Sequence, residues 1–223
     1  MRLRLAAKTD WRKKYDQVWN PYEEDFAQVR LNGKWGFVNQ KGEEVIPPKY
    51  DDVSSFVEGL AQVRLNDKCG FINEKGEVVV PLKYDDMTNL RDGFSLVKLN
   101  DKYGFINVKG EEVIPPKYDN IGTFINGFAE VVLDGKWGFI NEKIEEVVPP
   151  KYDDVWKFEE GFAPVKLKRK WGFVNEEGVE VVPPKYSLTD MEQIPRAVDL
   201  LAFKLNVSKE EAVKLILEEM SKH

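Results

Sequence analysis

Along most of the chain, apolar and polar residues alternate in short runs. Phe26-Ala27-Gln28-Val29-Arg30-Leu31 puts Ala27, Val29 and Leu31 on one face, the period-two pattern of a half-buried strand. The same face returns as Ala61, Val63, Leu65 and as Ala129, Val131, Leu133. Asn32-Gly33, Asn66-Asp67, Asn100-Asp101 and Asp134-Gly135 then supply two-residue turns of the mirror-image type that matches strand twist. Lys168-Arg169 is a poor version and predicts a looser turn. The second strand runs from Trp35 to Asn39, after which Gly42, Gly76, Gly110 and Gly178 suit the left-handed place of a tight turn. Ile144 holds that place once. A β-branched residue at positive φ costs about 1–2 kcal/mol, so a locally altered turn is predicted there. The third strand, Glu43 to Ile46, runs into Pro47-Pro48, and the proline pairs at 47–48, 115–116, 149–150 and 183–184 are expected to end it. Pro164 falls inside a first strand, so its missing N–H must point away from the ladder. A short extended segment from Tyr50 to Gly59 bends back to the next run.

The pattern has a fixed period. Lys34-Trp35-Gly36-Phe37-Val38 returns every 34 positions, beginning at Lys68, Lys102, Lys136 and Lys170. A constant period of this length marks a repeat architecture. The prediction is an all-β repeat protein of five 34-residue units over 14–186, each with three to four short antiparallel strands. One additional residue between Tyr15 and Phe26 predicts a bulge at Trp19-Asn20-Pro21. No strand is left over at either end to complete a shared blade, and non-repeat segments flank the units. Both features favour an open twisted array with capped ends over the alternative, a closed five-bladed propeller.

Outside the repeats, 1–13 reads as an N-terminal cap segment, with Arg2-Leu3-Arg4-Leu5 alternating as a short strand or cap. At Ser187 the spacing becomes helical. Pro195 suits the first turn of a helix through Val198, Leu201, Ala202 and Leu205, and Asn206-Val207 breaks it. Ser208 and Glu211 form a capping box for a second helix with an apolar stripe of Val213, Ile216, Leu217 and Met220. Residues 187–223 are thus a helical hairpin, too small for a core of its own, that should dock on the last repeat or on a partner.

The stretches 32–39, Gly42-Glu43, Ile46-Pro47, Lys49-Tyr50-Asp51, Phe56 and Glu58-Gly59-Leu60-Ala61 resemble the WG-repeat family. The resemblance covers 14–186; Cys69 and Tyr103 at tryptophan positions, Ile144 and Asp25 at glycine positions, and Leu82 for a proline put local geometry in question. It implies a β-rich repeat of bacterial type, with no catalytic residues and no defined ligand.

Composition narrows the function classes. A formal charge of −6 argues against a general phosphate-binding surface. One cysteine cannot make an internal disulfide. The first ten residues lack a signal peptide's apolar run and no window approaches a membrane span, so a cytoplasmic protein is expected. The single histidine, His223, is the last residue, which removes nearly every histidine-based triad or metal site. No catalytic residue, cofactor or metal is called for. Cys69 should fill a buried slot that sister units fill with aromatics. The pairs Asp51-Asp52, Asp85-Asp86 and Asp153-Asp154 recur with the period, which points to turn hydrogen bonds rather than calcium or acid–base chemistry. Trp35, Trp137 and Trp171 read as core packing, with the following glycine leaving room for the ring over the neighbouring strand.

More telling are aromatics that the period does not require. Trp19 and Trp156 occupy a slot held elsewhere by Ser54, Thr88 and Gly122, and Trp11 lies before the repeats. These three are the partner-binding candidates. The reading is a non-enzymatic scaffold that binds a protein partner through its repeat surface, with 187–223 as cap or dimerisation element. Alternatives are a carbohydrate-binding module using exposed aromatics, and an adaptor in a nucleic-acid-associated complex through the tail. Direct nucleic-acid binding is disfavoured by seven acids against five bases in the tail.

Overall fold

The computed structural model describes residues 10–19, 25–205 and 207–222. The expected strand at Arg2-Leu3-Arg4-Leu5 and the bulge at residues 20–21 lie outside them. Alternating runs joined by tight turns give five four-stranded antiparallel sheets, each with its strands in chain order. The first comprises Gln17–Trp19, Phe26–Leu31, Lys34–Asn39 and Glu44–Tyr50. The fourth comprises Asn120–Ile121, Phe128–Leu133, Lys136–Asn141 and Glu146–Tyr152. Each sheet comes from one continuous stretch, and none among the described residues takes strands from both ends of the chain. At the level of strand pairing the repeats are open.

Asn32 and Gly33 turn with φ of 52° and 78°, as their chemistry predicts. Two turns depart from expectation. Lys168 and Arg169 adopt φ of 50° and 67°, the same conformation and no looser. An Asp153 carboxylate oxygen accepts the Lys168 N–H at 2.7 Å and holds the turn whatever its side chains. Ile144 keeps the turn that glycine makes elsewhere, at φ 62°, with its N–H on the Asn141 carbonyl at 2.9 Å. Burial of the isoleucine side chain offsets the strain. The aspartates that open each repeat do serve turns: Asp51 and Asp85 accept the N–H of Asn66 and Asn100.

The proline pairs do not end the third long strand. Glu146–Tyr152 runs through Pro149 and Pro150, and its sisters do the same. It is an edge strand with register shifts against its neighbour, where missing donors are tolerated. The shift also corrects the reading of the glycine after each tryptophan. A Cβ on Gly138 would stand 2.2 Å from the Val148 carbonyl oxygen, and one on Gly70 2.4 Å from that of Val80. The glycine admits the backbone of the bulged strand, not an aromatic ring.

The chain divides into two compact units, Met1–Pro116 and Lys117–His223, with the boundary inside the last strand of the third sheet, Glu112–Tyr118. In the first unit, Phe37, Ile46 and Tyr50 pack with Ala61, Val63 and Ile72 of the next sheet. Cys69 lies wholly buried, as expected, among Phe71, Tyr84 and Val97, and burial pushes its thiol pKa up. In the second unit, Phe139, Val148 and Tyr152 pack with Phe158, Val165 and Val174.

The tail is helical over Leu188–Leu205 (α1) and Lys209–Ser221 (α2). The α1 helix begins earlier than Pro195 because Ser187 and Asp190 form a reciprocal capping box. Ser208 caps α2 through the Glu211 N–H, as expected. Val213 and Leu217 are buried with Phe162, Trp171 and Phe173, so the tail docks on the last repeat.

Successive sheets are also clasped by polar groups. Tyr152 donates its hydroxyl to the Glu180 carboxylate at 2.6 Å, and Lys151 reaches the same oxygen at 2.8 Å. Lys83 and Tyr84 grip Glu112, Lys117 and Tyr118 grip Glu146, and Lys14 and Tyr15 grip Glu44. Tyr186 has no following sheet and donates to the Met220 carbonyl of α2 instead.

Candidate functional site

The slot two residues into each sheet's opening segment is one place where the repeats differ, and its surroundings are set by the period. In the second to fifth sheets its backbone N–H bonds across to the second strand: Ser54 to the Gln62 carbonyl and Trp156 to the Pro164 carbonyl, both at 2.9 Å. Pro164 thus keeps its carbonyl in use although it has no N–H to give. In the first unit the side chains finish the job locally. Ser54 accepts the Gln62 N–H, and Gln28 reaches Ser55 of the next sheet at 3.3 Å. The remaining dent beside Ser54 is a cavity of about 220 Å³.

In the second unit the corresponding place is a groove of about 600 Å³ between the fourth and fifth sheets and the helical tail. That volume suits a side chain or small ligand. Its floor is apolar: Phe162 and Phe173 from the fifth sheet, Met191 from α1 and Val213 from α2. Trp156 forms one wall, 39% exposed, with its ring 4.8 Å from the buried ring of Trp171. Glu130 and Lys157 stand at the positions of Gln28 and Ser55, but no hydrogen bond or ion pair joins them. Burial raises the Glu130 pKa, Asp154 adds to the rise, and Lys157 opposes it from a distance.

The three candidate residues meet different fates. Trp156 lines the groove. Trp19 is 61% exposed at the end of the first strand of the first sheet. Trp11 starts a short 3-10 helix, Trp11–Lys14, and lies half-buried over Gly42 and edge-on to Tyr15 at 6.4 Å. It caps the first sheet. Trp11 and Trp19 belong to the first unit and Trp156 to the second. Trp35 and Trp171 are not free on both faces for stacking. Arg30 lies 5.6 Å over Trp35 and Lys166 lies 5.4 Å over Trp171, so one face of each ring already carries a cation.

Comparison with known proteins bears on the repeats and not on the groove. The family model described as WG containing repeat matches six times, over residues 13–35, 35–69, 70–103, 103–137, 137–171 and 171–189. The chain belongs to the WG-repeat family. The matches are cut at the tryptophan position, so the first and last are partial where the period counted from Lys-Tyr gives five whole units. Among curated proteins none matches the chain. Solved structures give distant likenesses. Hsv2 of Kluyveromyces lactis is 9% identical, with 73% of this chain and 62% of that chain covered and a TM-score of 0.40. Hsv2 of Kluyveromyces marxianus is 10% identical, with 70% and 60% covered and a TM-score of 0.34. A protein of unknown function from Bacteroides caccae is 13% identical, with 71% and 77% covered and a TM-score of 0.26. The chain spans about three fifths of the length of the Hsv2 structures it matches. At these scores the likeness assigns no activity.

Within the WG-repeat frame, the residues that sequence reasoning passed over are Glu130 and Lys157. The signal was available. Position 130 reads Gln28, Gln62, Leu96 and Pro164 in sister repeats, and position 157 reads Ser55, Asn89 and Thr123, so both depart from the period as Trp156 does. What hid them was their separation along the chain, since only the packing of one sheet on the next brings them to one groove. Among the described residues no group of His, Cys, Asp and Glu is placed to hold a metal ion, and no helix is long and apolar enough to cross a membrane.

Proposed function

We propose that this WG-repeat protein is a non-enzymatic, cytoplasmic scaffold that binds a protein partner through the groove at Trp156. The observation that carries the reading is the groove itself. It has an apolar floor, a half-exposed tryptophan wall and polar residues at its edge, and it occurs where the repeat pattern is broken. A tryptophan that can be covered beside a desolvated apolar floor is the usual anchor of an interface. Repeat sheets supply such a surface already ordered, so little conformational entropy is lost on binding. The helical tail acts as cap and groove wall; its stripe of Val213 and Leu217 is already buried, which leaves dimerisation through that stripe the weaker reading.

Selection of a random peptide library against the wild type and against Trp156→Thr tests this. Threonine is the residue of a sister repeat, Thr88, so the variant keeps its fold. A sequence motif enriched by the wild type and lost by the variant is the expected result. The same motif from both proteins, or none from the wild type, sinks the proposal.

A further inference from the structure

The groove also carries a charge asymmetry, and on the reading above we infer that its occupant is a peptide segment placing a positively charged side chain, flanked by apolar ones, against Glu130 and Trp156. Three observations converge. Glu130 is a carboxylate half-removed from water, without a hydrogen bond or ion pair among the described residues. Such a group is stabilised by an incoming cation, because the desolvation it has already undergone is what strengthens the pairing. Its flank is uncovered. The slot residue that would lie over it is Gly122, where an added Cβ would meet Glu130 Cβ at an ordinary 3.6 Å. Sister repeats fill that slot with Ser54, Thr88 or Trp156. Finally, the walls hold the carboxylates Glu130, Glu159 and Glu160 against Lys157 and Lys209, and the Trp156 face offers a cation a second contact. The apolar floor of Phe162, Phe173, Met191 and Val213 receives the flanking side chains. A guanidinium fits this description better than an ammonium, since it can pair in-plane with the carboxylate while stacking on the indole.

The test uses four short capped peptides, identical except for a central arginine, lysine, glutamine or glutamate between leucine and phenylalanine, titrated calorimetrically into the full chain. The arginine peptide is expected to bind about tenfold more tightly than the glutamine peptide, with the glutamate peptide weakest. Glu130→Gln, which copies Gln28 and Gln62, should erase the arginine advantage and leave the glutamine peptide unchanged. Lys157→Ser, which copies Ser55, should move affinity the other way by removing the competing cation. Gly122→Thr should weaken all peptides by covering the flank. An arginine advantage that survives Glu130→Gln, or no arginine advantage at all, overturns the inference. If the glutamate peptide binds best and Trp156→Thr abolishes it, the partner surface stands and the charge rule falls. Four equal affinities untouched by Trp156→Thr overturn both.

Discussion

The junction between the first and second sheets and the junction between the fourth and fifth are built from the same repeat, yet only one of them is clasped. At the second, Tyr152 and Lys151 close on Glu180. At the first, the period puts Val78 where that glutamate would be, and Val78 is 54% exposed beside a buried Tyr50. Both junctions nonetheless pack their aromatic and aliphatic side chains alike. Successive sheets are therefore held together at both junctions by apolar burial. The clasp adds stability without specifying the fold.

The largest effect should come from what the sheets at both junctions share, the close approach of their third and fourth strands at glycine. Gly70→Ala and Gly138→Ala each drive a Cβ into backbone that cannot move aside, at a cost of about 4 kcal/mol or more. Denaturant unfolding should show both severely destabilised. A mild Gly70→Ala beside a severe Gly138→Ala would mean that the second sheet has slack between its third and fourth strands. Next comes the clasp. Tyr152→Phe should cost about 1–2 kcal/mol, because the Glu180 carboxylate loses a hydroxyl donor. Tyr50→Phe should cost under about 0.5 kcal/mol. Equal losses would refute the contrast between the junctions. The reverse change, Val78→Glu, should raise the melting temperature by supplying an acceptor to Tyr50, with a gain of about 0.5–1 kcal/mol.

The smallest effect is a pH signature. Lys151 and Tyr152 hold the Glu180 pKa below its ordinary value, as Lys83 and Tyr84 do for Glu112. For Glu146 burial pushes upward, but bonds from Tyr118 and Lys117 win and its pKa is lowered. A carboxylate with a depressed folded-state pKa contributes stability above its unfolded value and loses it as pH falls through the folded one. The acid limb of the stability curve should therefore flatten in Glu180→Gln and steepen in Val78→Glu, by urea melts across the acid range. On the alkaline side burial raises the Tyr152 pKa, as it does that of Tyr84, so these phenols contribute stability up to their ordinary value and lose it only as pH climbs through the raised one.

How legible was this in the sequence? The strands, their faces and the first hairpin turn followed from alternation and from Asn32-Gly33, because those signals are local. The errors came where a tertiary partner overrides local chemistry. Asp153 rescues the Lys168-Arg169 turn, burial rescues Ile144, the edge position rescues the proline pairs, and Ser187 with Asp190 starts α1 before Pro195. Trp156 was visible as a departure from the period. Glu130 was an equal departure, but its importance depends on Gly122 beside it and Lys157 on the next sheet, neighbours that only folding supplies.

The handover of the Tyr186 hydroxyl to the Met220 carbonyl has a genealogical consequence. Each repeat presents a tyrosine forward, and the tail answers it with a backbone oxygen that no side-chain substitution can remove. In-frame duplication of one 34-residue period ahead of Lys185 would leave the terminal tyrosine and its acceptor unchanged. The stopper is thus indifferent to the number of repeats before it, and its chemistry does not fix the length of the array.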